Sequence, residues 1–236
     1  MKPHLIEEAH EAADAIARRE DAGLAEELGD LLFLVLFLTR LLGERTGISA
    51  ADLARGVTGK MIARHPHVFE GASAETPADV LVHWEASKSR ERMASGKSVL
   101  DGLPLTLPAL QRAARLQERA AGLGFDWPEA APVLVKIREE VTELAAEMDA
   151  GDASRTRAEI GDLLFSVVNL ARKLGVSAED ALRDASEKFR RRFATVEAGI
   201  RDAGHPLTLV EMDRLWDEAK RAEPSGGVAG APGPPG

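Results

Sequence analysis

The stretch ELGDLLF at 27–33 returns as EIGDLLF at 159–165, and EEAHE at 7–11 returns as EEVTE at 139–143, each 132 residues later. GISAADLARGVTGK, ending at Lys60, matches GVSAEDALRDASEK, ending at Lys188, at an offset of 128, and Trp84 with Lys88 matches Trp216 with Lys220 at 132 again. Two compensating four-residue indels account for the drift. A chain that repeats over such a distance folds as tandem copies of one unit. We expect an N-terminal domain over 1–98, a C-terminal domain over 99–223, and between the copies a linker punctuated by Gly and Pro, ASGKSVLDGLPLTLP. The tail PSGGVAGAPGPPG, 224–236, has no large side chains to offset ordering entropy, so it is expected to be disordered.

The repeated unit reads as helical. In VLVKIREEVTELAAEM the apolar residues Val133, Ile137, Val141, Leu144 and Met148 recur every three or four positions, and Pro132 suits a first helical turn. Leu182, Ala185, Phe189, Phe193, Val196 and Ile200 repeat the pattern, and no convincing alternating strand is present. The expected fold is all-α, made of two tandem helical bundles whose sites lie between facing helices.

Charge and composition exclude several classes. A net charge of −9 argues against non-specific nucleic-acid binding, which leans on a basic surface. The greasiest stretch, LLFLVLFL at 31–38, is followed by Thr39 and Arg40 and falls short of the roughly 20 residues of a membrane span, so it reads as a buried helix. With no cysteine, no disulfide or thiolate metal site is possible, and with no signal peptide apparent a cytoplasmic location is expected.

The carboxylates carry the chemistry. On a helix, Glu139, Glu140 and Glu143 cluster near one face, and Glu159 and Asp162 share a face of the next. If the connection DAGDASRTRA turns the chain back on itself, the two sets converge. Convergent carboxylates repel one another, whereas a hard divalent cation such as Mg²⁺ takes oxygen ligands of that kind. A lone EExxE is most often a solvated helix face. Here it recurs in both copies, each time with an ExxD on an adjacent apolar helix, which points to metal.

The paired EExxE and ExxD motifs in a GDLLF context resemble those of the MazG nucleoside triphosphate pyrophosphohydrolases, all-α enzymes of the wider dimeric dUTPase-like class. RHPHVF at 64–69, GFDW at 124–127, NLAR at 169–172 and EKFRRRF at 187–193 also match the family pattern. The resemblance covers nearly the whole chain, although family members usually begin earlier, with a segment carrying a CPWD-like motif. It implies homodimers and Mg²⁺-dependent (or Mn²⁺-dependent) hydrolysis of NTP or dNTP to the monophosphate and pyrophosphate, clearing abnormal or surplus nucleotides, with neither nucleic acid nor membrane as partner.

Read in that light, Glu140, Glu143, Glu159 and Asp162 are the candidate metal ligands, and Glu139 is a candidate to accept the attacking water's proton. Lys188 and Arg192, four apart on one helix, are placed to meet the leaving pyrophosphate, as is Lys136, one turn before Glu139. Asn169, Arg191, Trp216 and Lys220 complete the candidate substrate contacts. Trp127 and Trp216 are candidates to stack on the base, although core packing explains either equally well. His65 and His67 flank Pro66 with no third ligand nearby and read as structural.

The copies are unequal. Asp162, Ser166 and Asn169 form a polar stripe at i, i+4, i+7, where the first copy has Asp30, Leu34 and Phe37. Lys136 becomes His4 and Arg191 becomes Ala63, and the helical segment expected at 106–128 has no counterpart in the first copy. The working site is therefore expected in the second copy. Two other functions compete: a narrower all-α pyrophosphohydrolase acting on phosphoribosyl-ATP or dUTP, and a metal-binding dimerisation or regulatory protein without turnover.

Overall fold

The computed structural model describes residues 1–64, 93, 96 and 98–223. RHPHVF, Trp84, Lys88 and the 224–236 tail lie outside the described residues, apart from the backbone of Arg64. Every regular element among the described residues is an α-helix, as the periodicity predicts. The chain divides into two compact units, Met1–Glu91 and Arg92–Gly236.

In the first unit, α1 (Lys2–Arg18) and α2 (Asp21–Thr46) form a hairpin, followed by α3 (Ala50–Arg64). The turn between α1 and α2 is made by Arg19, held in the left-handed region at φ 56°, and α1 buries its small residues Ala12 and Ala15. Gly47, at φ 74°, ends α2.

The second unit contains α4 (Ala109–Ala121), α5 (Ala130–Ala150), α6 (Ala153–Lys173), α7 (Ala178–Ala203) and α8 (Leu209–Ala222). Helices α5 and α6 form one hairpin and α7 and α8 another, while α4 packs against both α6 and α7. Val133, Val168, Val196 and Ala219 are the buried apolar residues of these helices. Gly199 of α7 lets α8 approach closely, since a Cβ there would collide with Leu215 Cδ1. Buried Arg119 of α4 donates to the carbonyls of Val99 (3.1 Å) and Asp101 (2.7 Å), tying the preceding segment to the bundle.

Three expectations need correction. The 106–128 segment is helical only over Ala109–Ala121; Gly124, at φ 86°, then turns the chain, so GFDW lies on a loop. The DAGDASRTRA connection contracts to Gly151 and Asp152, because Gly151 adopts φ 72° and Asp152 Oδ1 caps α6, accepting from the N–H groups of Ser154 (3.0 Å) and Arg155 (3.1 Å). LLFLVLFL is a helix but not a buried one: Leu34 alone of its residues is buried, while Phe33 is 64% exposed. The α1–α2 hairpin has one inner face, and a helix apolar all round leaves the rest of its surface for something else to cover.

The cap fixes where α6 begins and hence how Glu159 and Asp162 face α5. Asp152→Ala should lower stability by about 1 kcal/mol, read from urea denaturation of the purified chain. Unchanged stability would mean that the Gly151 turn alone sets the hairpin.

Candidate active site

The site is built on the α5–α6 hairpin. Glu140 of α5 is 4% exposed and faces α6, where Glu159 and Asp162, three residues apart, lie one turn from each other. One carboxylate oxygen from each of Glu140, Glu159 and Asp162 lies within 4.8 Å of the other two. Glu143 is exposed on α5 outside this trio, yet its charge bears on Glu159. Burial, then the charges of Glu143, Asp162 and Glu140, push the Glu159 carboxyl above the ordinary carboxylate range.

Lys136 is the cation nearest the trio in the hydrogen-bond pattern, donating from Nζ to Glu139 at 2.7 Å and pairing with Glu140 at 2.8 Å. Those bonds raise its pKa, so it stays charged at neutral pH. No such cation bonds Glu159 or Asp162 among the described ion pairs. A divalent ion is the species that this donor set fits: three converging hard oxygens, one of them deeply buried.

Two of the trio, Glu140 and Asp162, line a cavity of about 710 Å³, within the range of small-molecule sites. Lys136, Glu140 and Asp162 line it, and α6 continues the wall with Ser166, Asn169 and Arg172, so the polar stripe read from the sequence faces the cavity. Its apolar side includes Leu100, Leu116 and Phe165, and the GFDW loop contributes Phe125 and Trp127. The loop is anchored between these two rings. Arg172 Nη1 donates to Asp126 Oδ2 at 3.1 Å, and Lys173 Nζ at 2.6 Å. Burial raises the Asp126 carboxyl, but these hydrogen bonds and charges outweigh it and hold the group below the usual carboxylate range.

The remaining sequence candidates sit elsewhere in the unit. Lys188, Arg191, Arg192, Trp216 and Lys220 belong to the α7–α8 hairpin, and none lines the cavity. Arg192 donates from Nη2 to Glu223 Oε2 at 2.6 Å and lies 5.8 Å from the Trp216 ring centre. Trp216 in turn packs on Phe189 with ring centres 5.1 Å apart. The hydrogen bond from Arg192, helped by the charges of Arg191 and Lys188, lowers the Glu223 pKa. Glu139, exposed, is occupied by Lys136. Sequence reasoning missed Gln117, Phe125, Asp126 and Arg172 as cavity residues. GFDW and NLAR, both noted as motifs, were the available signal for the last three, because an aspartate in one and an arginine in the other form a pair.

The first copy repeats the convergence. Glu8, Glu27 and Asp30 also offer oxygens within 4.8 Å of one another, and burial with the charges of Glu11, Asp30 and Glu27 raises the Glu8 carboxyl. The contrast lies beside the carboxylates: buried Leu34 stands where Ser166 lines the second copy's cavity.

Known proteins are similar to this chain in sequence. A model of the MazG nucleotide pyrophosphohydrolase domain matches residues 1–69 and 131–196, one stretch in each copy. The chain is 43% identical over 229 residues to the nucleoside triphosphate pyrophosphohydrolase of Escherichia coli strain K12, covering 94% of this chain and 87% of that one. It is 39% identical over 223 residues to the nucleoside triphosphate pyrophosphohydrolase/pyrophosphatase MazG of Thermotoga maritima, covering 93% and 85%. A nucleoside triphosphate pyrophosphohydrolase of Mycobacterium tuberculosis is 33% identical over 160 residues, covering 66% and 46%. Two copies of the carboxylate hairpin, a match in each of them and identity along nearly the full length lead to one conclusion: the chain belongs to the MazG nucleotide pyrophosphohydrolase family.

Proposed function

We propose that the protein hydrolyses nucleoside triphosphates, ribo or deoxy, to the monophosphate and pyrophosphate at the second copy's cavity, with Mg²⁺ (or Mn²⁺) as cofactor. The observation that carries this reading is the convergence of Glu140, Glu159 and Asp162, two of which, Glu140 and Asp162, line a cavity that also presents apolar and aromatic side chains. Carboxylates alone would repel a triphosphate, and the protein's net charge of −9 adds to that repulsion.

Glu140, Glu159 and Asp162, with Glu143 beside them, would hold the ion, which when bound lowers the pKa of water and neutralises phosphate oxygens. Lys136 keeps Glu139 and Glu140 in place and offers positive charge toward the cavity. Glu139, outside the trio, is assigned the proton from the attacking water. Phe125 and Trp127 supply faces on which any base can stack. Lys188, Arg191, Arg192 and Lys220 lie outside the cavity, and the reading gives them the part of the triphosphate that projects beyond it, the leaving pyrophosphate, with Trp216 packed against Arg192 and Phe189.

The protein is further read as a homodimer. Leu28, Leu32, Phe33 and Leu36 on α2, and Leu164 and Val167 on α6, are exposed in the single chain. Contiguous apolar faces of this kind are costly in water, and a second copy would cover them. No described helix is long and apolar enough to cross a membrane, and the reading puts the protein in the cytoplasm with its nucleotides.

The test is product analysis of ATP with Mg²⁺, before and after chelation. AMP and pyrophosphate are expected, with turnover lost in excess EDTA; ADP and phosphate, or full activity in EDTA, would refute the scheme. Asp162→Asn should reduce turnover by about 100-fold or more, while Asp30→Asn keeps most of it, since Leu34 occupies the neighbouring position there. The reverse ranking in folded proteins would put the working site in the first copy.

The raised Glu159 pKa yields a pH signature. A carboxyl whose folded pKa exceeds its unfolded value binds more protons when folded, so without metal it opposes folding as pH rises through and above about 4.5. Mg²⁺ relieves that opposition only when the carboxylate is ionised. The increase in melting temperature on adding Mg²⁺ should therefore be large at pH 7 and shrink as the pH falls toward the carboxylate range. Glu159→Gln should melt higher than wild type without metal at pH 7 and respond less to Mg²⁺ than wild type does. A Mg²⁺ response in Glu159→Gln equal to wild type's would remove Glu159 from the metal site.

A further inference from the structure

Gln117 of α4 lines the cavity and is 7% exposed. Its Nε2 donates to the Phe165 carbonyl at 2.8 Å, while its Oε1 is buried without a hydrogen-bond partner. Turning the amide round would set two acceptor oxygens against each other, so the carbonyl of Phe165 fixes which end is left unpaired. A buried acceptor without a partner is costly and rare in folded proteins. Among the neighbouring cavity groups, Arg172 Nη2 donates to Asn169 Oδ1 at 2.7 Å and Arg172 Nη1 holds Asp126, while Arg172 Nε, like Gln117 Oε1, is buried without a partner.

Position along α6 shows what could satisfy Oε1. Phe165 lies three residues, about 4.5 Å of helix rise, beyond Asp162 in the direction of Asn169 and the aromatic loop. With phosphates anchored at Asp162, the next portion of a nucleotide along that wall is its nucleoside. We propose, resting on the hydrolase reading above, that Gln117 reads the nucleoside: Oε1 accepts a hydrogen bond from an N–H of the base or an O–H of the sugar. Gln117 is then a specificity-determining residue, and Phe165 contributes through its backbone by orienting the amide.

ATP offers three such donor groups, the 6-amino group and the 2′ and 3′ hydroxyls. The test measures kcat/KM of the full-length protein with Mg²⁺ for ATP, purine riboside triphosphate, 2′-deoxyATP and 3′-deoxyATP. Wild type should disfavour the analogue lacking the donor that Oε1 accepts by about tenfold, and that analogue identifies base or sugar as the source. Gln117→Met, of similar length but without the acceptor, should bring the ratio to within about twofold. Gln117→Glu, assayed in its protonated form, can donate to the Phe165 carbonyl and still accept, and should retain the preference. Each ratio is taken within one preparation, so a partly unfolded variant does not distort it. Equal use of all four nucleotides by wild type, or a preference that survives in Gln117→Met, would overturn the proposal. Absence of ATP turnover in wild type would count against hydrolysis alone, and the same four ratios would then be read from calorimetric binding, with the same outcomes deciding.

Discussion

Mutual repulsion among Glu140, Glu159 and Asp162 is the constraint to which the second unit is built. Three carboxylate oxygens within 4.8 Å of one another oppose the very hairpin that brings them together. The hairpin forms nonetheless because its local chemistry is strong: Gly151 takes the left-handed turn, Asp152 caps α6, and Val133 and Val168 are buried in the bundle. The protein thus holds an anionic cluster in readiness at the cost of stability, a common arrangement where a cation completes a site. The pinned GFDW loop and the buried amide of Gln117 extend the same plan, with cavity walls fixed before a ligand arrives.

The two copies share the convergent carboxylates and differ in what lies beside them. Both bring three carboxylates together, so the geometry that suits a divalent ion is a property of the repeated hairpin. In the second, α6 continues beyond Asp162 with Ser166 and Asn169 along a cavity; in the first, Leu34 at the position of Ser166 is buried. Apolar surface remains exposed on α2 and α6 of the single chain, Phe33 included, and the proposed dimer is what would cover it.

Most of the helices could be read directly from the sequence, and so could the four carboxylates Glu140, Glu143, Glu159 and Asp162, of which all but Glu143 converge, because the signal is local: a 3.6-residue periodicity, and motifs repeated at a fixed offset. Two features depended on contacts far apart in the chain. Burial of LLFLVLFL was inferred from hydrophobicity alone, yet hydrophobicity says only that a surface will be covered, and the α1–α2 hairpin covers one side of it. Gln117 lies in an amphipathic helix with no motif around it, and its role depends on a carbonyl 48 residues away. The cationic cluster around Arg192 was legible as a group, but its separation from the cavity is set by how α7 and α8 pair, which residue spacing within one helix does not encode.

Whether the second copy's carboxylate trio binds a divalent ion is tested by a count of Mn²⁺ bound per chain, from the paramagnetic resonance signal of the free ion. Wild type is compared with a chain in which the trio is neutralised in shape-conserving fashion, Glu140→Gln, Glu159→Gln and Asp162→Asn, with folding checked by circular dichroism. The neutralised chain should bind one ion fewer than wild type at saturation, and its nucleotide turnover should vanish with that ion. An equal Mn²⁺ count in the two folded proteins would contradict the account.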